Sequence, residues 1–574
     1  MNNPNLKSYH PKNYKELLKK YRKVDEVVLE PIDKTSRKRK AVASGLETYS
    51  GSWGDEEIMH LLKRCTFGVR KSDLQQYREL SFAEAITAAV TQGSAPPPPV
   101  NDYNNAEESF IDPDVPYGET WIDAARNDTF TGERVVSLKN WLIQNMVNQP
   151  PTIEEKMVFF WHNLLPTKAW DVFFPKLSYR YFEMLRRNAF GNFETMIREL
   201  TLDPSMLLFL NGAFNNKDAP DENYGRELQE LFCIGKGPSA QFTEGDVQAA
   251  ARVLTGWTFD WDTWDTTGEV NVVFNKWLHE TSDKQFSSFY GNRLIQGRSD
   301  DSGTEELDEL LDMIFDNDET ALFICRRLYS YFVYHEVDET TEANIIVPLA
   351  EVFRNNGYEI RPVIEALLSS AHFFDQANRG AMIKSPTEFL FGMWRTLQMK
   401  GLDSTDPADL KDQNSSLLWR MAGEGLEVAD PPSVSGWPAY YQAPSFDKYW
   451  ITTDTISNRG LTTDSMIYWG FWIRSGSQIP IDLIEFLKEF DTPEDPNLML
   501  EEASLLLHGI SPSEVEFADL KTILLSGQEN DTYWNSAWLS LMNDPENTEY
   551  RLVVENRLKP TFQRLLQLGE TNLF

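Results

Sequence analysis

Long apolar runs are missing from this 574-residue chain. No stretch approaches the ~20 residues that a membrane-crossing helix needs, so a bilayer-spanning bundle is excluded. Cysteine is scarce: Cys65, Cys233 and Cys325 are the only three. They lie far apart and follow no metal-ligand spacing. Their odd count excludes a fully paired disulfide framework, although one bridge stays open. Each sits in apolar helical text, where an inert core thiol is expected. Positive charge is in deficit, with 54 Lys and Arg against 88 Asp and Glu, a net charge of −34. Such a field repels phosphates, so no nucleic acid is expected on the acidic body. Also absent are an HExxH zinc motif, a Walker phosphate loop, a GxSxG elbow and a Rossmann glycine fingerprint. No cysteine has a recognised nucleophile context.

What is present supports a large core, since 41% of residues are hydrophobic and 25% charged. Residues 1–52 form a basic lead-in; residues 1–40 hold twelve Lys or Arg against five Asp or Glu. This arm is expected to be a soluble lead-in, with an acidic partner or a membrane surface as the alternative. It lacks an apolar signal core. The expectation is therefore a cytoplasmic protein, or an exported or periplasmic one if the chain is longer.

Most periodic text is helical. Helices are expected over 54–66, 81–90 with a Ser81–Glu84 capping box, 133–149, and from Thr152 with Glu155 three residues on. One or two more fall in 176–200, broken at Gly191–Asn192, while the short run 205–210 fits a helix or a strand. The segment 221–257 reads as two helices joined by a Gly-Pro turn. Further helices are expected at 304–316, 319–335, 341–355, 361–371, after Pro386, and over 447–475, 480–489, 498–508 and 545–567. Residues 401–416 read as a polar loop, and 430–446 carry too many turn residues for a long element. The run APPPPV at 95–100 cannot continue a helix and reads as an extended connector. It opens a Pro-rich insertion near 95–118. A small hairpin is possible at 258–275. The fold class is thus mainly α: a single large multi-helical body over 53–574, with a small hairpin and long loop insertions.

Several segments carry a family likeness: HLLKRCTFG at 60–68, FWHN at 160–163, ENYGRELQELFCIGKG with FTEGDVQAAARVLTGW over 222–257, KSPTEFLFGMWRTL at 384–397, PPSVSGWP at 431–438 and SNR at 457–459. In these motifs and their order the chain resembles the bacterial family of unknown function numbered 1800. The resemblance implies a large, mainly helical protein and brings no settled activity. Many relatives look exported, some encoded beside a sulfatase-like family. This chain has Leu164 where relatives commonly carry a second histidine. Around His279 it reads HETSDK, so Glu280 and Asp283 compete for the acid that relatives place after the histidine.

Three groups of residues are candidates for chemistry. Asn223, Arg226, Glu227 and Glu230 are spaced for one helix face. There Arg226 can orient a carboxylate or phosphate and Glu227 can take a proton or a cation, or the set can be an Arg–Glu lock between helices. His162 and Asn163 can exchange a proton and hold a ligand, or be packed in the core. His279 suits acid–base or metal chemistry, or a polar loop. Trp257 and Trp437, beside glycines, can wall a pocket or bridge helical layers. No cofactor or metal is established by any motif, and a divalent cation is the one possible. The expected role is binding of an unknown ligand or protein partner through a polar cleft. The alternatives are a hydrolase acting on a carbohydrate or ester-containing ligand, and a membrane-associated assembly factor supported by the basic arm alone.

Overall fold

Local capping sets many helix starts. Ser81 caps Phe82–Ala89, and Asn192 caps Phe193–Thr201. Asp203 caps Pro204–Phe209, so the apolar run at 205–210 is a helix. Thr243 caps Glu244–Val253, and Ser385 caps Pro386–Thr396. In each case a side-chain oxygen takes an otherwise orphaned N–H. This computed structural model describes residue 42 and residues 44–104, 110–267, 269–401, 406–473 and 476–574. The readings of the basic arm over residues 1–40 lie outside them.

Residues Val42–Phe574 form one compact unit. One apolar core runs from Ile58 to Leu568, with a small satellite around Phe174, Leu207 and Phe259. Strands are minor. Trp257–Phe259 pairs antiparallel with Val272–Phe274, and two further ladders are only two residues long. The expected hairpin therefore exists, but the helix Trp261–Thr267 interrupts it. All three cysteines are free and buried. Among the described residues, no helix is long and apolar enough to cross a membrane.

Three expectations need correction. The segment read as a polar loop at 401–416 contains the helix Pro407–Gly423, started by Pro407 and capped by Asp406. Its polar face outweighs its apolar stripe, which hid the period. Thr152 caps nothing: its hydroxyl has no partner and the helix starts at Glu154. The chain bends at 151–153, with Thr152 N bonded to Pro150 O, and Ile153 N bonds to Ala89 O. The proline run is no free connector, because Trp141 Nε1 donates to Pro97 O at 2.6 Å and ties it to the body.

The motif segments are joints of this fold. Gly68 meets Gly392 so closely that an added Cβ would come within 2.6 Å of Gly392 Cα. Arg395 fixes the joint from below. It donates to Gly68 O at 2.7 Å, to Val147 O and Gln149 O at 2.8 Å each, and to Asp73 at 3.3 Å. A second joint brings FWHN to PPSVSGWP. Trp437 N donates to Asn163 Oδ1 at 3.0 Å, and the Trp437 ring stacks on Phe159 with centroids 5.2 Å apart. Arg459 of the SNR segment makes a third, bonding to Glu424, Lys384 O and Asn572.

Candidate functional site

The sequence candidates fall into three separate groups. Among the described residues, no hydrogen bond or ring contact joins one group to another. In the first, Arg226 is held at the surface by Glu244 at 2.6 and 2.8 Å, by Glu222 at 2.9 Å and by Glu230 at 3.4 Å. Glu230 also pairs with Lys236 at 2.6 Å. Asn223 turns away to Leu210 O, and Glu227 Oε2 meets no partner. Arg226 meets Glu230 on its own helix and Glu244 on the next, an Arg–Glu lock between helices, while Asn223 stands apart; the α-helix ends at Glu227 and Leu228–Cys233 winds as a wider π turn. That turn shifts the register of everything after it. Burial, with Glu230 nearby, pushes the Glu227 carboxyl above its ordinary range.

In the second group, Trp437 is 1% exposed, so it is a core ring rather than a pocket wall. His162 is equally buried. Tyr181 spends its hydrogen on Leu165 O at 2.6 Å, which leaves His162 Nδ1 to donate to the tyrosine oxygen at 3.1 Å. His162 Nε2 and Asn163 Nδ2 meet no partner. Burial pulls His162 down to about 3, so it stays neutral at pH 7.

The third group is a buried charge network. His279 Nδ1 faces Thr255 O at 2.8 Å, and Nε2 faces Glu306 Oε1 at 3.1 Å. Lys284 Nζ donates to Glu306 Oε2 at 2.6 Å. The acid paired with His279 is therefore Glu306, neither Glu280 nor Asp283. Glu280 binds Arg252 at 2.9 Å, and Asp283 accepts from Gly297 N at 3.0 Å. Burial opposes the Glu306 charge, yet the bonds from His279 and Lys284 hold its carboxyl below the usual range. Trp257 belongs with this group through Phe274, which packs on both rings at 5.2 and 5.1 Å.

A large open cleft lies elsewhere. It encloses about 640 Å³ between Pro96–Pro99, the helix Thr131–Asn148 and the helix Pro407–Gly423. The proline wall is extended because four prolines admit no helix, and Ser137 Oγ pins its far end by donating to Val100 O at 2.8 Å. Asp102 follows the wall and is 7% exposed. Its Oδ2 accepts only a long bond from Asn140 at 3.4 Å, and its Oδ1 accepts none. Burial pushes Asp102 up to about 6, against the pull of Lys411, Asn140 and Ser137. Gln149, 2% exposed, has its carbonyl clamped by Arg395 while both amide atoms are unpartnered. Asn145 Nδ2 is unpartnered too. Glu155 is held by Arg186, and burial raises Glu154. Sequence reading missed this site because the proline run looked like a connector and one wall looked like a loop. The available signal was the amide-rich text QNMVNQ at 144–149, directly before two prolines.

A family model described as "Protein of unknown function (DUF1800)" matches residues 60–550. The chain belongs to this family. No curated protein and no solved structure matches it. In this DUF1800 chain the motif segments at 60–68, 160–163, 384–397 and 431–438 lie at buried joints, while the cleft draws on residues 93–155 and 407–414. Among the described residues of the DUF1800 chain, no group of three or more His, Cys, Asp or Glu side chains is arranged to hold a metal ion.

Proposed function

We propose that the protein binds a small polar ligand in the proline-walled cleft. The observation that carries this reading is the set of unpartnered buried polar atoms on residues lining one open space: Asp102 Oδ1, Asn145 Nδ2, Arg186 Nε and both amide atoms of Gln149. Each such atom costs about 1–3 kcal/mol when buried without a partner. A ligand that supplies the partners recovers that cost. The volume is in the usual range for small-molecule sites. A thermal-unfolding screen of polar metabolites tests the reading. Compounds that raise the transition of the wild type should fail to raise that of an Asn145→Leu/Gln149→Leu double variant. At a hundred times Kd the stabilisation is about 2.7 kcal/mol. Hits that the double variant retains in full would refute the cleft.

A hydrolytic reading has one observation in its favour. Asp102, pushed up to about 6, can hold a proton close to neutral pH, as a general acid must. On that reading Asp102→Asn keeps ligand binding and loses turnover of a carbohydrate or ester-containing substrate. The membrane-associated assembly reading rests on the basic arm, whose residues are outside the described ones.

A further inference from the structure

We propose that the ligand of this cleft is a neutral oligosaccharide, which rests on the cleft being the binding site. The unpartnered set on the lining residues mixes three donors, Asn145 Nδ2, Gln149 Nε2 and Arg186 Nε, with two acceptors, Asp102 Oδ1 and Gln149 Oε1. A hydroxyl group donates and accepts at once, so neighbouring hydroxyls on a sugar serve both kinds. An anion would satisfy the amide donors and set its charge against Asp102. A cation would satisfy the acceptors and leave both amide donors bare.

The charged side chains of the cleft point the same way. Arg186 is bound through both terminal nitrogens to Glu155, and Lys411 pairs with Glu133 at 3.2 Å. Arg186 Nε alone is unpartnered, but the charge of each cation is already met by a carboxylate, so neither offers a bare positive charge to a phosphate, sulfate or carboxylate.

The wall supplies the remaining requirement. Pro96–Pro99 present apolar pyrrolidine rings with no rotatable side chain, so packing the C–H face of a sugar against them freezes no rotamers. These prolines also lack backbone N–H groups. An extended peptide therefore cannot add to this edge as a strand, which disfavours the peptide alternative.

Calorimetric titration of the full chain tests the proposal. The probes are hexasaccharides of glucose, xylose, mannose and N-acetylglucosamine, with hexagalacturonate, hexalysine and a neutral hexapeptide in parallel. At least one neutral sugar series is expected to bind. Asn145→Ala, which loses one bond of ~1.4 kcal/mol, is expected to weaken it about tenfold, and Gln149→Leu, which loses two, about a hundredfold. Arg226→Ala, far from the cleft chemistry, is expected to leave it unchanged and serves as the folded control. Binding of the acidic, basic or peptide probe with no neutral sugar, sensitive to Gln149→Leu, overturns the ligand class and leaves the cleft standing. Sugar binding indifferent to both cleft variants overturns the cleft as well. No binding by any probe overturns the oligosaccharide.

Discussion

Gly436→Ala isolates the cost of crowding one joint of the fold. Gly436 has φ +81, and a Cβ there would collide with the carbonyl and side-chain oxygens of Asn163. Two costs combine. A left-handed backbone costs a non-glycine residue about 1–2 kcal/mol. The collision must also move Asn163 away from Trp437 N, which loses a buried hydrogen bond of about 1 kcal/mol and adds about 1–3 kcal/mol of overpacking. Gly425 is the matched control: its φ is +92, and nothing lies within 4 Å of an added Cβ. Gly425→Ala carries the torsional cost alone. Gly436→Ala is therefore expected to be less stable than Gly425→Ala by about 2–4 kcal/mol, a large part of the 5–15 kcal/mol typical of a folded domain. Urea unfolding of both variants, followed by tryptophan fluorescence and circular dichroism, measures the difference. Equal midpoints for the two variants would refute the argument that Asn163 and Trp437 form a close-packed joint.

Three more outcomes are expected. The rise of Asp102 from 3.8 to about 6 corresponds to about 3 kcal/mol. The folded state holds this proton more tightly, so this group's contribution to stability is full below pH 4 and is lost as pH rises through 6. Asp102→Asn should therefore raise stability at pH 7 and leave it unchanged at pH 4; thermal scans at both pH values decide. Glu306→Gln strands the buried Lys284 ammonium and should cost about 3–5 kcal/mol, partly restored by adding Lys284→Met. A Glu306→Gln protein as stable as wild type would reject the ion-pair account. Glu227→Gln breaks no bond at Oε2 and relieves repulsion from Glu230, so its thermal transition at pH 7 should match or exceed wild type; a clear drop would reveal a missed partner.

The sequence carried the helices where capping and apolar spacing agree, as at Ser81 and Thr243. It failed where one signal hid another. The helix Pro407–Gly423 has a weak apolar stripe, so its polar residues read as loop. Of the face read for Asn223, Arg226, Glu227 and Glu230, the Arg226–Glu230 pair is present, but Asn223 turns to Leu210 O, a contact with no local spacing signal. His279 read as an acid–base or metal residue or as part of a polar loop; it is buried, and its partner Glu306 lies 27 residues away, where no local spacing reveals it. The cleft was the least legible feature. Its polar atoms stand out by lacking partners, which is a property of three-dimensional neighbours.

The joint between Gly68 and Gly392 has a consequence during synthesis. Arg395, which clamps Gly68 O, is made 327 residues later. At about 5–20 residues per second, that interval is tens of seconds on the ribosome. Throughout it, Phe67 and Gly68 lack Phe391 and Gly392, which pack against them in the finished fold. The nascent chain must therefore shield an unfinished N-terminal core for most of its translation. Slowing elongation downstream of residue 68 would lengthen that exposure, and chaperone demand should rise with it.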